Sequence, residues 1–341
     1  YVAEDEFEAA RQVAQEAVAL NAANAELQNL LGLAHQGLGD NADAYAAFER
    51  AAKLAPDEQT YSINKARAEM ALGDAATAEE TLRAAGGDNP ANLRTASMVA
   101  ITRARQGDID AALEIADSLQ ARHPEDAVPF ALEGELLASR QDYSGAAAAY
   151  EQALALRPGD RRLALRAFRA RAQVGLSDAA APLRSYLNGQ PDDTGVRLVL
   201  AQHYQTSGDG QRAISEYERI LESEPENFVA LNNLAWEYAQ TGNPRAESIA
   251  RRAWELRPDN GSVADTLGWI QVQNGNLEEG IPMLRRAVEL SSGRAQVKYH
   301  LAAALASVGE PAEARRLLEE ILESDAEFSS RAEARELLAS L

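Results

Sequence analysis

The 341-residue sequence contains no cysteine. This absence excludes disulfide bonds, thiolate zinc sites and cysteine nucleophiles, and it leaves the cellular compartment open. Aromatic residues are scarce as well, at 6% of the chain, whereas alanine recurs throughout. A compact globular core of this length normally contains bulkier buried side chains. The composition therefore favours thin, closely packed layers of helices.

Positive charge is the second scarce feature. The chain has 33 basic and 53 acidic residues, which gives a net charge of −20. This balance argues against nonspecific binding to nucleic acid, which requires a basic footprint, and against binding to anionic membranes. No apolar run approaches the roughly 18 to 20 residues of a transmembrane helix. Because the chain begins at Tyr1 without a signal peptide, we expect it to be a piece of a longer protein.

What the sequence does contain is a repeat with a period of 33 or 34 residues. One series that marks it consists of Pro56, Pro90, Pro124, Pro158, Pro191, Pro225 and Pro258. A second series consists of Gly39, Gly73, Gly107, Gln141, Gly175, Gly208, Gly242, Gly275 and Gly309. Glycine can adopt the left-handed conformation that closes a helix, a following Asp or Asn can cap the next helix, and proline ends it. Each repeat is therefore predicted to be a pair of antiparallel helices.

Small residues recur at the positions where the two helices of a pair must touch. The first repeat combines them with larger residues as Leu31-Gly32, His35, Ala44, Phe48, Ala51 and Pro56. This pattern resembles the tetratricopeptide repeat family. The resemblance implies an all-α, right-handed superhelical solenoid of antiparallel helix hairpins. We expect about nine repeats in residues 25–327, the second helix of a truncated repeat in residues 1–24, and a capping helix in residues 328–341.

The fifth repeat is expected to be irregular. It places Phe168 where a small residue is expected, and its turn, residues 175–178, is loose. We predict a local change of helix packing there.

No arrangement of residues in the sequence indicates catalysis. The four histidines, His35, His123, His203 and His300, lie in different repeats, and neither a phosphate-binding glycine loop nor a Gly-x-Ser-x-Gly motif is present. Most carboxylates lie at solvent-facing helical positions. We therefore predict that the chain is not an enzyme and that it uses no metal or cofactor.

The resemblance implies that the first helices of the hairpins line a concave groove, and helical spacing predicts which side chains point into it. In repeats two to five these positions supply Arg67, Arg94, Arg105, Arg162 and Arg169, with Glu135 as the main acidic exception. One interpretation is a basic stripe that attracts an anionic protein partner. The other is that the arginines pair with neighbouring carboxylates and hold the stack together.

In repeats seven to nine the same positions supply Asn232, Trp236, Asp265, Trp269, Gln273 and Tyr299. Aromatic faces flanked by amides suit a polysaccharide chain or an extended peptide, and tryptophan is a frequent anchor at interfaces. The alternative is that the two tryptophans pack between adjacent first helices as ordinary filling between repeats.

Residues 229–318 carry a narrower resemblance. The blocks at residues 231–236 and 264–269 are similar to bacterial tetratricopeptide lipoproteins that accompany exosortase (PEP-CTERM) gene clusters. This resemblance implies a scaffold for protein–protein interactions in exopolysaccharide assembly or export, on the periplasmic side of an outer membrane. Two alternatives remain open: a cytoplasmic adaptor that binds an acidic peptide, and a solenoid that binds polysaccharide directly.

Overall fold

The chain is built from helices joined by short turns. The computed structural model describes residues 2–89, 91–324 and 327–341, and within these ranges it contains no strand. The predicted all-α class is therefore confirmed. Pro90, one of the prolines that mark the repeat, and Tyr1, the first residue of the predicted truncated repeat, lie outside the described residues. Two compact units divide the chain, residues 1–189 and 190–341.

The first unit contains eleven α-helices in its described residues, together with one short π-helical turn. They are α1 (Val2–Leu20), α2 (Ala25–Leu38), α3 (Asn41–Leu54), α4 (Gln59–Ala71), α5 (Ala75–Leu82) with the π turn Arg83–Gly87, α6 (Leu93–Arg105), α7 (Ile109–Arg122), α8 (Ala127–Ser139), α9 (Tyr143–Leu156), α10 (Arg161–Gln173) and α11 (Ala181–Gly189).

The second unit contains nine helices in its described residues. They are α12 (Thr194–Thr206), α13 (Gly210–Ser223), α14 (Phe228–Gln240), α15 (Ala246–Leu256), α16 (Gly261–Gln273), α17 (Leu277–Leu290), α18 (Ala295–Ser307), α19 (Pro311–Glu323) and α20 (Arg331–Ser340). None of the described helices in either unit is both long enough and apolar enough to cross a membrane.

Within each unit the helices form hairpins that stack in chain order. Each helix packs mainly against its neighbours in sequence, and the first helices of successive hairpins also contact each other. Such contacts join α4 to α6 and α6 to α8 in the first unit, and α14 to α16 and α16 to α18 in the second. We call the surface formed by these even-numbered helices the first-helix face of the unit.

The turns have the predicted chemistry. The eight glycines of the series that marks the turns have φ angles between 66° and 90°, which is the left-handed region. Gln141, the exception in the series, adopts the same conformation with φ 65°. In four of the turns the next residue caps the second helix, namely Asp74, Asp108, Asp142 and Asp209; the carboxylate of Asp142, for example, accepts a hydrogen bond of 2.9 Å from the amide of Gly145. Asp40, Asn276 and Glu310 occupy the same place without a capping hydrogen bond from the side chain.

Packing inside the hairpins explains the small residues. A methyl group added to Gly32 would lie 2.5 Å from Cε1 of Phe48, whose ring is fully buried. Ala66 and Ala100, the equivalents of Gly32 in the next two repeats, are also fully buried. The cores are thus narrow layers in which a small residue on one helix faces a larger one on its partner.

Two repeats of the first unit depart from regular geometry in their described residues. In the fifth repeat α11 has only nine residues, whereas α9 has 14, and a longer turn precedes it. In the second repeat α5 ends at Leu82 and the chain widens into the π turn, where Gly86 has φ 89°. The first irregularity is the one that Phe168 and the loose turn predict, and the second has no counterpart among the sequence expectations.

Candidate functional site

The first-helix face of the first unit presents the five predicted arginines. Arg67 extends from α4, Arg94 and Arg105 from α6, and Arg162 and Arg169 from α10, and all five are exposed. Two of them border a groove of about 320 Å³, which we call the arginine groove. Its lining consists of Ile63, Arg67, Leu93, Arg94, Ser97, Met98 and Val128.

A second cavity of about 210 Å³ adjoins the arginine groove, because Ser97 and Val128 line both. Arg162 and Arg166 line this second cavity, together with Glu135. Arg105 and Arg169 line neither cavity. The structure therefore brings three of the five predicted arginines together around two adjoining hollows.

The five predicted arginines lack the acidic partners that bind several other arginines of the unit, such as Arg103, and the exposed Arg50 and Arg122 also form no ion pair with a described carboxylate. Among the residues that the structure describes, no carboxylate forms an ion pair with Arg67, Arg94, Arg105, Arg162 or Arg169. The closest polar contact of Arg94 is with the hydroxyl oxygen of Thr60, to which its Nη1 donates a hydrogen bond of 3.1 Å. Arg103, which belongs to the same helix, is bound by Glu79 at 2.8 Å and by Asp108 at 3.2 Å. Ion pairs with neighbouring carboxylates, the alternative interpretation, are therefore not formed by these five residues in the described part of the chain, and their role in binding a partner stays a prediction.

Two carboxylates, Glu135 and Glu58, nevertheless lie near these arginines and interact with basic residues of the same surface. Arg166 forms an ion pair with Glu135, the acidic exception on this face. Burial lowers the pKa of Arg166, and the positive charge of Arg169 lowers it further. Hydrogen bonds from the hydroxyl and amide of Thr60 lower the pKa of Glu58, and the Arg94 guanidinium contributes to the same shift.

In the second unit, four of the six predicted residues gather around a histidine. The rings of Trp269 and His300 are stacked, with centroids 4.5 Å apart and planes 17° apart. The Trp236 ring lies 6.0 Å from the same imidazole at a tilt of 31°. Asp265 accepts a hydrogen bond from Nδ1 of His300 at 2.8 Å, and Tyr299 is the adjacent residue on α18. We call Trp236, Asp265, Trp269 and His300 the histidine cluster.

Hydrogen bonds define the tautomer of His300, which is 97% buried. The side-chain oxygen of Gln296 accepts hydrogen bonds from the Ser330 amide at 3.3 Å and from the Ser329 hydroxyl at 2.8 Å. Its amide nitrogen therefore faces Nε2 of His300, at 2.9 Å. Because that nitrogen is a donor, Nε2 must accept, and the imidazole proton lies on Nδ1, where Asp265 binds it. The cluster thus connects α14, α16 and α18 to the start of α20.

The remaining two predicted residues of the second unit lie apart from the cluster. Asn232 lies one helical turn before Trp236, and its side-chain oxygen is buried without a hydrogen-bond partner among the described residues. Gln273 is exposed and lines a different cleft, together with Asn243 and Asn274.

Sequence reasoning overlooked His300 as a site residue. Its only sequence signal is its spacing from Asp265: the two residues are 35 positions apart, whereas the repeat step is 33 or 34. His300 therefore lies one position after the residue of α18 that is equivalent to Asp265. The burial of His300 depends on contacts with Trp269 and Gln296, and only the structure shows these contacts.

One group of possible metal ligands occurs among the described residues. His35, Asp40 and Asp43 come within 4.8 Å of one another at the turn between α2 and α3. Asp43 is exposed and His35 lies 3.4 Å from Asp40. Clusters of surface carboxylates of this kind commonly hold no ion, so we assign no metal to it.

Comparison with protein families identifies the fold. One tetratricopeptide repeat model matches residues 29–92, 98–161 and 198–261, which together are more than half of the chain, and a second matches residues 271–341. The chain belongs to the tetratricopeptide repeat family. Tetratricopeptide proteins are generally non-catalytic and bind protein partners. A search of curated sequences finds no match.

Solved structures with the same kind of helical stacking are distant. A MamA protein is 18% identical over 50% of this chain and 94% of its own, with a TM-score of 0.43. The Cut9–Hcn1 hetero-tetramer of the APC/C is 14% identical over 96% of this chain and 80% of its own, with a TM-score of 0.48. The Thermobaculum terrenum O-GlcNAc transferase is 29% identical over 38% of this chain and 25% of its own, with a TM-score of 0.36. At these TM-scores the likeness carries no functional argument.

Proposed function

We propose that this tetratricopeptide chain is a non-catalytic scaffold that holds a protein partner on its first-helix face. The observation that carries the proposal is the apolar groove of the first unit, which is bordered by Arg67 and Arg94, two exposed arginines that pair with no described carboxylate. In a chain with a net charge of −20, unpaired cations that lie beside an apolar groove form a surface that complements a negatively charged partner.

The cellular setting that we propose is bacterial exopolysaccharide assembly or export, with the chain in the periplasm at the outer membrane. The support is the resemblance of residues 231–236 and 264–269 to exosortase-associated lipoproteins. The competing setting is a cytoplasmic adaptor. Fractionation of source cells distinguishes the two, because recovery of the chain with the cytoplasmic fraction would contradict the periplasmic proposal.

Direct binding of polysaccharide is the weaker candidate. A sugar needs an accessible aromatic face. The Trp269 ring, however, is stacked on His300, and the Trp236 ring forms a tilted contact with the same imidazole. This packing agrees better with filling between repeats. Retention of the protein on glycan affinity gels, lost when both tryptophans are replaced by alanine in a folded variant, would favour the sugar-binding function instead.

Site-specific photo-cross-linking tests the scaffold proposal. A photoreactive amino acid replaces Arg67, on the first-helix face, or Arg50, an exposed arginine on α3, in full-length protein expressed in source cells. We expect a discrete adduct from position 67 and none from position 50. Adducts from position 50 alone, or from neither position in cells that contain the folded protein, would contradict the proposal.

A further inference from the structure

His300 is a buried titratable group that the proposed scaffold function does not use. Its imidazole contacts the rings of Trp236 on α14 and Trp269 on α16, and its Nδ1 donates a hydrogen bond of 2.8 Å to Asp265. Its Nε2 accepts a hydrogen bond of 2.9 Å from the amide nitrogen of Gln296. Histidine is the side chain whose charge ordinarily changes between about pH 5 and about pH 8. With Nδ1 already protonated, the second proton binds at Nε2.

Gln296 connects this imidazole to the start of α20. Its side-chain oxygen accepts hydrogen bonds from the Ser330 amide at 3.3 Å and from the Ser329 hydroxyl at 2.8 Å. Its nitrogen also donates a hydrogen bond of 3.0 Å to Oγ of Ser330. Ser330 is the residue that precedes α20, and its side chain forms no capping hydrogen bond with that helix. The histidine and the first turn of α20 therefore share one amide group.

The helix that this amide holds buries little of its own surface. Ala334 is the only buried residue of α20, a helix that the structure describes in full. Leu337 and Leu338 are partly buried against the core of the last repeat. Arg331 donates hydrogen bonds to two carbonyl oxygens at the end of α19. Because burial contributes little at the first turn, the hydrogen bonds there matter for the position of α20.

A second proton on His300 turns Nε2 into a donor that faces the donor nitrogen of Gln296. Two donors that face each other form no hydrogen bond, and the conflict ends when the amide rotates and presents its oxygen to Nε2. The hydroxyl groups of Ser329 and Ser330 can rotate to match the exchanged amide. The main-chain N–H of Ser330 cannot, because it is only a donor and then faces the amide nitrogen. Proton uptake thus breaks the hydrogen bond between Gln296 and the main chain before α20.

Two groups in contact with the buried imidazole favour its charged form. Asp265 on α16 binds the Nδ1 proton, and an adjacent carboxylate stabilises the imidazolium. The face of Trp269, stacked on the imidazole with centroids 4.5 Å apart, also attracts a cation. From α14 the contact is the uncharged ring of Trp236, whereas the neighbouring Glu237 interacts with Gln205 of α12. Burial opposes the charge, and the carboxylate and the indole offset this cost.

Further charges lie on the helices around the cluster. On α18, Lys298 forms an ion pair with Glu320 of α19, so its positive charge is balanced. Glu333 and Glu336 of α20 lie near Tyr299, the residue before the histidine. Burial raises the pKa of Tyr299, and these two carboxylates raise it further. The charge that α20 brings to this side of the cluster is therefore negative, which agrees with proton uptake there.

We propose that a proton bound at Nε2 of His300 releases the first turn of α20 from Gln296. In the neutral form of the imidazole the turn is held by the hydrogen bond from Ser330. As the pH falls and the imidazole takes up its second proton, that hydrogen bond is lost and α20 opens more often. The attachment is therefore complete at high pH and weakens toward low pH. This pH-sensitive device lies in the second unit and does not depend on the proposed scaffold function.

Hydrogen–deuterium exchange of the full chain between about pH 8 and about pH 5 tests the inference. The rates are corrected for the pH dependence of chemical exchange. We expect the protection of α20 to fall about fivefold toward the lower pH, the effect of one hydrogen bond, while protection of α16 and α17 stays unchanged. The ring nitrogen chemical shifts of His300, measured by NMR on the same protein, should show proton uptake over the same range.

Three variants separate this mechanism from general sensitivity to acid. In Q296E a carboxylate accepts from both the Nε2 proton and the Ser330 amide, so the protection of α20 should no longer fall with pH. H300Q removes the titrating group, and we expect the same independence of pH. H203Q is the matched control, because it removes a histidine of the same unit on α12 and should leave the response intact.

Several results would overturn the inference. One is a wild-type protein whose α20 protection does not change while His300 takes up its proton. Another is a histidine that stays neutral down to about pH 5. A fall in Q296E or H300Q equal to that of the wild type, or loss of the response in H203Q, would place the effect elsewhere. An equal fall in α16 and α17 would indicate acid unfolding of the whole unit in place of a local release.

Discussion

Gly268 on α16 and Gly280 on α17 allow the backbones of these two helices to approach each other closely. A methyl group added to Gly280 would lie 2.7 Å from Cγ2 of Val272, 2.9 Å from the carbonyl oxygen of Gly268 and 3.0 Å from the backbone nitrogen of Val272. Two of these three atoms belong to the backbone and cannot rotate away. The substitution G280A therefore forces α17 to move outward from α16.

The two energetic effects of G280A have opposite signs. Overpacking of a well-packed core costs about 1 to 3 kcal/mol, whereas alanine gains about 1 kcal/mol over glycine inside a helix. Because the clash is with backbone atoms, we place the cost near the upper half of its range. The expected net effect is a loss of about 1 to 2 kcal/mol in the free energy of unfolding.

Urea unfolding followed by tryptophan emission measures this loss, because the three tryptophans, Trp236, Trp254 and Trp269, all belong to the second unit. G189A in the first unit is the control, followed by far-UV circular dichroism because the tryptophans do not report on that unit; no heavy atom lies within 4 Å of a methyl group at Gly189 and its φ is not left-handed. We expect a lower midpoint for G280A and an unchanged one for G189A. A G280A protein as stable as the wild type would refute the packing argument.

Three further predictions concern the turns, the histidine cluster and the buried tyrosines. Q141G should raise stability by about 0.5 to 1 kcal/mol in thermal unfolding, because Gln141 has φ 65° and the left-handed region penalises a side chain; a decrease would contradict this. D265A should cost about 1 to 3 kcal/mol by the tryptophan-emission assay, since it leaves the buried Nδ1 proton of His300 without an acceptor; an unchanged midpoint would contradict the assigned tautomer. Burial raises the pKa of Tyr217 and of Tyr238 to about 12. Their unfolded forms ionise near pH 10, so this stabilisation is complete below pH 10 and is lost as the pH rises toward 12. Absorbance at 295 nm should show Tyr217 and Tyr238 among the last tyrosines to ionise, and one late-titrating tyrosine fewer in Y217F.

The repetitive part of the fold was predictable because its signals are local. Glycine at a left-handed turn and aspartate at a helix start determine the backbone conformation of only a few residues each. Their recurrence at a fixed period then indicates that equivalent helix hairpins stack on one another. Gly39 and Asp142 illustrate both effects. The π turn of the second repeat was not predictable, since residues 83–87 have no composition that separates a π turn from a regular helix end.

The sequence predicted which residues lie on the candidate functional surfaces, but it did not predict the contacts that their side chains make. Helical spacing placed Arg67 and Trp269 on the first-helix face. It could not show whether an arginine finds a carboxylate, because an ion pair depends on side-chain rotamers across neighbouring helices. For the same reason the sequence did not reveal that Ser97 is buried without a hydrogen-bond partner among the described residues, or that the rings of Trp236 and Trp269 lie against His300.

The most direct test of the account is hydrogen–deuterium exchange of the full chain with and without a bound protein partner. If the first-helix face of the first unit is the binding surface, exchange should slow in α4, α6 and α8, which contribute to the arginine groove. Exchange in α3 and α7 should stay unchanged. Slower exchange that is confined to α3, α7 or α1, with α4, α6 and α8 unaffected, would contradict the central claim.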